Sequence, residues 1–157
     1  MLPACGYHLA AQSVLPGGAR SVRILAPDVT ATDRPRLAAT ITSALAQALG
    51  RRGIAVVHRS SAPRLRIIVL HLALDDIAVV DRRTGGERWR LALEARLSRD
   101  SQTLWRSGLL TVRASAPISA RVGLSEASRS RVFRDLVEKA TRRVTTGLLA
   151  GGTKRRP

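Results

Sequence analysis

The segment 87–99, Glu-Arg-Trp-Arg-Leu-Ala-Leu-Glu-Ala-Arg-Leu-Ser-Arg, sets the fold class. Trp89, Leu91, Leu93, Ala95 and Leu97 fall on one side of an alternating pattern, and Arg88, Arg90, Glu94 and Arg96 on the other. A period of two is the spacing of a β-strand, and this strand has one dry face and one wet face. A sheet covered by helices on both faces would need more continuous apolar strands. The expected architecture is therefore two layers, with every helix on the same side of the sheet.

The neighbouring segments supply the partners. "RLRIIVLHLALDDIAVV" at 64–80 is long and β-branched, with Asp75-Asp76 expected to mark a bend or bulge. "RRTGGER" then reads as a tight turn, with Gly85 and Gly86 supplying any positive φ. "RDSQ" turns the chain again before a last strand over 103–115. Earlier, Val22 and Ile24 alternate in a short strand that stops at Pro27, and 54–57 is another.

Two helices complete the pattern. Leu37, Ile41, Leu45 and Leu49 form one stripe after a cap at Thr32 or Asp33 with Pro35 in the first turn, and Gly50 and Gly53 end that helix. Ser125 caps a second helix, whose stripe runs through Phe133, Leu136, Val137, Ala140, Val144 and Leu148 and is expected to stop at Gly151-Gly152. The fold class is α+β, a two-layer sandwich with two helices on one face of a mixed four- or five-stranded sheet, in the order β-α-β-β-β-β-α.

Composition bounds the function. With 45% hydrophobic residues in 157, the chain can bury a real core. Its 27 basic and 11 acidic residues leave a formal charge of +16, which points to an anionic partner such as nucleic acid, a membrane surface or a phosphorylated glycolipid. Lysine occurs only at Lys139 and Lys154, so the charge is almost all arginine, and it is spread along the chain. No apolar run reaches the ~20 residues that span a bilayer as a helix.

Catalytic signatures are missing. No glycine loop has the spacing to cradle phosphate, since "RTGGER" lies in a hairpin. His8, His58 and His71 have no metal-ligand spacing with Cys5, and Asp75 and Asp76 would fall on opposite strand faces. An enzyme is not expected, and no diffusible cofactor or metal is implied.

The one cysteine sits at the start, in "LPACGYHL". "LPAC" resembles the end of a bacterial lipobox, with Leu2 three before Cys5, small Ala4 directly before it, and Pro3 an uncommon middle residue. Such a cysteine is freed at its N-terminus and acylated, and the pattern implies a charged and apolar signal segment upstream. "CGYHL" followed by "LP" resembles the mature N-terminus of the LPS-assembly lipoprotein LptE family, whose order of elements is similar from Cys5 to about Leu149.

That resemblance implies an outer-membrane lipoprotein on the periplasmic side, anchored through acyl lipid such as palmitate on Cys5. It implies the LptD β-barrel as partner, which the protein would plug and help assemble, and lipopolysaccharide as cargo. The family's basic contact positions fall here on Arg82 and Arg83 in the long hairpin and on Arg121 before the second helix. The matching organisation is 1–20 as lipobox remnant and tether, 21–150 as one sandwich domain and 151–157 as a basic tail.

Two rival readings differ in partner. An envelope lipoprotein adaptor of similar build would share the anchor but not the barrel. A nucleic-acid-binding domain would use the charge, but aromatics are only 3% of the chain, and Trp89 and Phe133 fall on apolar stripes where they cannot stack on bases. No nucleic-acid partner is therefore expected.

Overall fold

Strand β4 (Thr84–Arg99) lies between β3 (Arg64–Ile77) and β5 (Gln102–Ser119), antiparallel to both. Strand β1 (Ser21–Ile24) runs parallel to β3 and to β2 (Ala55–Val56), which gives a five-stranded mixed sheet in the order β2-β1-β3-β4-β5. Helix α1 (Arg36–Gly50) connects β1 to β2, and α2 (Glu126–Thr153) follows β5. The computed structural model describes residues 13–32, 34, 36–77, 84–119 and 126–153, with the backbone alone at 75–77, 84–87, 116–119, 126 and 153. The α+β class and the order of elements are those expected from the sequence.

The alternation of β4 is realised as burial. Leu91, Leu93, Ala95 and Leu97 are at most 2% exposed, while Arg88, Glu94 and Arg96 are exposed. Helix α1 buries Leu37, Ile41, Leu45 and Leu49 against this face, and α2 buries Leu136, Val137, Ala140, Val144 and Leu148. Phe133 is half-buried at the edge of the same core. The guanidinium of Arg34 sits 4.7 Å from the Trp89 ring centroid and 5.7 Å from that of Phe133, so a cation covers the two rings.

The α1 terminus shows why its stop was legible. Gly53 has φ 76°, its N–H bonds the Gly50 carbonyl at 3.0 Å, and the Ile54 N–H bonds the Leu49 carbonyl at 3.1 Å. That is a Schellman closure, which places a left-handed residue, here glycine, just past the helix.

Three local expectations are corrected. Asp75 and Asp76 keep regular register with Arg88 and Glu87, and the irregularity of β3 lies between Val69 and His71 instead. Gly85 and Gly86 are not turn residues but strand residues, paired with Ile118 and Pro117, and residues 78–83 lie outside the described ones. Gly151 and Gly152 do not stop α2, which continues to Thr153.

The last correction has a packing cause. A Cβ on Gly151 would come 2.7 Å from Trp105 Cδ1, and one on Gly152 would run into the carbonyl oxygen of Val14. The glycines let the helix lie directly against the segment 14–16. Leu15, in the stretch assigned to the tether, is fully buried in the core. It is held in a turn by Leu15 N–H to Ala19 carbonyl (2.8 Å) and Gly18 N–H to Leu15 carbonyl (2.9 Å).

Two stability outcomes follow from this packing. Leu93→Ala should lower unfolding stability by roughly 2–5 kcal/mol in urea, and a loss below about 0.5 kcal/mol would place the wrong face inward. Gly152→Ala would gain up to about 1 kcal/mol in an open helix. Here it should instead lose roughly 1–3 kcal/mol by overpacking, and a rise in urea midpoint would disprove the close contact with Val14.

Candidate anion-binding face of the sheet

Cys5, Arg82, Arg83 and Arg121 lie outside the described residues. The strands that flank the two arginine loops are described, however. Ile77 ends β3 opposite Gly86, and Ser119 ends β5 opposite Thr84. The C-terminal ends of β3 and β5 and the start of β4 thus lie at one end of the sheet.

The described residues form a second basic feature. Both helices cover one face, no described element covers the other, and the strand alternation places arginine on it repeatedly. Arg23 on β1, Arg64 and Arg66 on β3, Arg88, Arg90 and Arg96 on β4, and Arg106 and Arg113 on β5 all alternate with inward apolar residues. Register then aligns them. Arg23 pairs with Arg64, Arg66 with Arg96, Arg96 with Arg106, and Arg90 with Arg113. Neighbouring strands are about 5 Å apart, so these are close like-charge pairs.

Acidic groups on the face are few among the described side chains. Glu94 stands opposite Ile68 and Leu109, in the row next to Arg66, Arg96 and Arg106. Asp28, bridged to Ile68, lies at the rim. Its carboxyl is held below its ordinary value, chiefly by the Thr30 hydroxyl (2.8 Å to Oδ1) and then by the Thr30 backbone N–H (3.2 Å). Desolvation opposes these bonds, and the Arg66 charge adds a smaller pull in their direction.

A groove of about 520 Å³ runs beside the edge strand β5, lined by Thr111, Val112, Arg113, Lys139, Arg142 and Arg143. An Arg143 guanidinium N–H donates to the Thr111 carbonyl at 2.8 Å, which occupies one acceptor on the free edge. Lys139 pairs with Asp135 at 2.7 Å and Arg142 with Glu138 at 2.8 Å, both exposed i,i+4 pairs that contribute little. No group of three or more potential metal-ligating side chains is gathered among the described residues, and no helix among them is long and apolar enough to cross a membrane.

The arrangement can bind oxyanions. Guanidinium groups offer planar forks of donors to phosphate or carboxylate oxygens, and a face with so few counter-charges attracts polyanions. Sequence reasoning placed Arg88, Arg90 and Arg96 on the wet side of β4 but not in a site. The missing signal was register, because Arg66 and Arg106 come from other strands.

No protein-family model and no curated protein matches the chain. Solved structures do share its fold. The minor lipoprotein of Acinetobacter baumannii aligns with a TM-score of 0.56 at 15% identity, over 88% of this chain and 97% of that one. Rare lipoprotein B of Shewanella oneidensis gives 0.56 at 10% identity, over 83% and 94%. Lipoprotein B of Nitrosomonas europaea gives 0.54 at 16%, over 95% and 94%. These neighbours are bacterial lipoproteins. At such identities the likeness is one of fold.

The Asp28 environment gives a test. Thr30→Ala should raise the Asp28 pKa, followed by NMR titration of the carboxyl, and Arg66→Gln should raise it less. A depressed carboxylate contributes stability fully above its unfolded pKa and loses it as pH falls through the lowered folded value. A larger rise in Arg66→Gln would mean that charge, not the hydroxyl, dominates.

Proposed function

We propose that this chain is a lipid-anchored outer-membrane subunit of the lipopolysaccharide translocon, acting from the periplasmic side. In this reading it plugs and helps assemble the LptD barrel, and Arg82, Arg83 and Arg121 contact lipopolysaccharide. The observation that carries the reading is the lipobox-like segment Leu2–Cys5 on a chain whose fold is shared with bacterial lipoproteins. Acylation of Cys5 with several chains would make the membrane attachment stable, since one chain alone binds only marginally.

The reading gives the exposed charge a use. Lipid A carries phosphates, and arginine at the hairpin end would meet them with charge-assisted hydrogen bonds. The nucleic-acid alternative has less support, because Trp89 is 9% exposed on the inner face and Phe133 packs against the core. Neither ring is presented to stack on a base.

The test uses the gene with its upstream signal segment, labelled with palmitate in a Gram-negative host. Cys5→Ala should abolish labelling and release the protein from outer membranes. Wild type should co-purify with the LptD barrel. Equal labelling of both proteins would remove the anchor, and labelled protein that never co-purifies with the barrel would favour an adaptor role.

A further inference from the structure

The outer face concentrates its repulsion at one place. Arg66, Arg96 and Arg106 stand in a single row across β3, β4 and β5, each directly opposite the next. All three are exposed, and none makes a side-chain hydrogen bond or ion pair among the described residues. Like charges in directly opposed positions destabilise a sheet. Glu94 in the next row and Asp28 beside Arg66 offset only part of that repulsion.

A bulge opens space beside the row. Between Glu94 and Arg96 the pairing with β5 shifts, and Ser107 and Gly108 are left facing Ala95. The Ala95 N–H donates to Ser107 Oγ at 2.9 Å, and that hydroxyl donates to the Gly108 carbonyl at 2.6 Å. Gly108 takes φ 65°, which a glycine adopts without strain. The result is a cavity of about 160 Å³ lined by Ile68, Glu94, Ala95, Arg96, Arg106 and Gly108.

We propose that the Arg66–Arg96–Arg106 row, with the cavity at the β5 bulge, is a binding site for a phosphate group. The phosphate oxygens would take the donor forks of Arg96 and Arg106 at the cavity mouth, with Arg66 completing the row. Glu94 lines the same cavity and acts as the internal counter-charge that the ligand displaces. Leu109, 64% exposed, stands opposite Glu94 in the next row, and Leu70, 43% exposed, lies four residues along β3 from Arg66. Apolar neighbours suit a phosphate carried on a lipid headgroup, whereas the row itself would accept free phosphate as well.

This site goes beyond the translocon reading and does not depend on it. Arg96 lies twelve residues along β4 from Thr84, roughly 40 Å at the rise of a strand. The row is therefore well removed from the strand ends that flank Arg82, Arg83 and Arg121, and it needs no acylation of Cys5.

The experiment measures binding of the full chain at low salt to two probes. These are inorganic pyrophosphate, by calorimetry, and phosphatidylcholine vesicles with and without phosphatidylglycerol, by flotation. The variant Arg66→Gln/Arg96→Gln/Arg106→Gln is compared with a control of equal charge loss, Arg20→Gln/Arg36→Gln/Arg59→Gln, at exposed positions away from the row. Loss of charged hydrogen bonds should weaken the row variant by at least about tenfold, with the control nearly unchanged, and Glu94→Gln should bind more tightly than wild type. The row variant should also unfold at a higher temperature, because repulsion is relieved; this separates lost binding from lost folding. A selective loss for vesicles alone assigns a lipid headgroup, and one for pyrophosphate alone assigns a free phosphate. Equal losses in the two triple variants, no loss in either, or no binding of either probe by wild type would overturn the site.

Discussion

Everything else in the molecule follows from the burial of one face of β4. Leu91, Leu93, Ala95 and Leu97 enter the same core as the stripes of α1 and α2, and the strands on either side take their inward positions from that register. Both helices then have to lie on one side. Among the described residues nothing covers the opposite face, and charge is what can occupy it without further cover. An inward slip of one residue would bring Arg88, Arg90 and Arg96 into the core, so the register is strongly specified.

The same constraint turns a diffuse charge into a face. Along the sequence the arginines are scattered, with no basic arm apart from the short tail at 154–156. In the sheet, eight of them fall on outward positions of four strands. Antiparallel pairing then brings residues far apart in sequence, Arg66 and Arg106 among them, into one row with Arg96. The repulsion within that row is tolerated because guanidinium groups on exposed strands can spread into water, and because Glu94 and Asp28 stand nearby.

Periodicity explains which parts of this were legible. Stripes at Leu37, Ile41, Leu45 and Leu49, and the alternation over 89–97, each repeat often enough to determine element type, and so the order of elements could be read. Single-residue events could not be. The Leu70 irregularity and the Ser107-Gly108 bulge leave no periodic trace, so the Asp75-Asp76 pair drew the expectation of a bend instead. Gly151-Gly152 looked like a helix stop because glycine commonly ends helices, yet here it serves close approach to Val14 and Trp105. That purpose is visible only once the N-terminal segment is placed. The residues assigned to lipopolysaccharide came from resemblance, whereas the arginine row needed the register.

Anchoring and the basic face would reinforce each other physically. A phosphate-rich leaflet attracts each nearby arginine by about 1 kcal/mol, and the attraction fades within a Debye length. A free domain would feel that field only on close encounter. A domain tethered to the leaflet stays within reach, and the tether converts a weak bimolecular contact into an intramolecular one. A moderate phosphate affinity at the Arg66–Arg96–Arg106 row would then suffice to orient the open sheet face toward the membrane. Such a contact remains salt-sensitive and reversible, so the same face could be given up to a barrel wall or another partner without breaking the apolar core behind it.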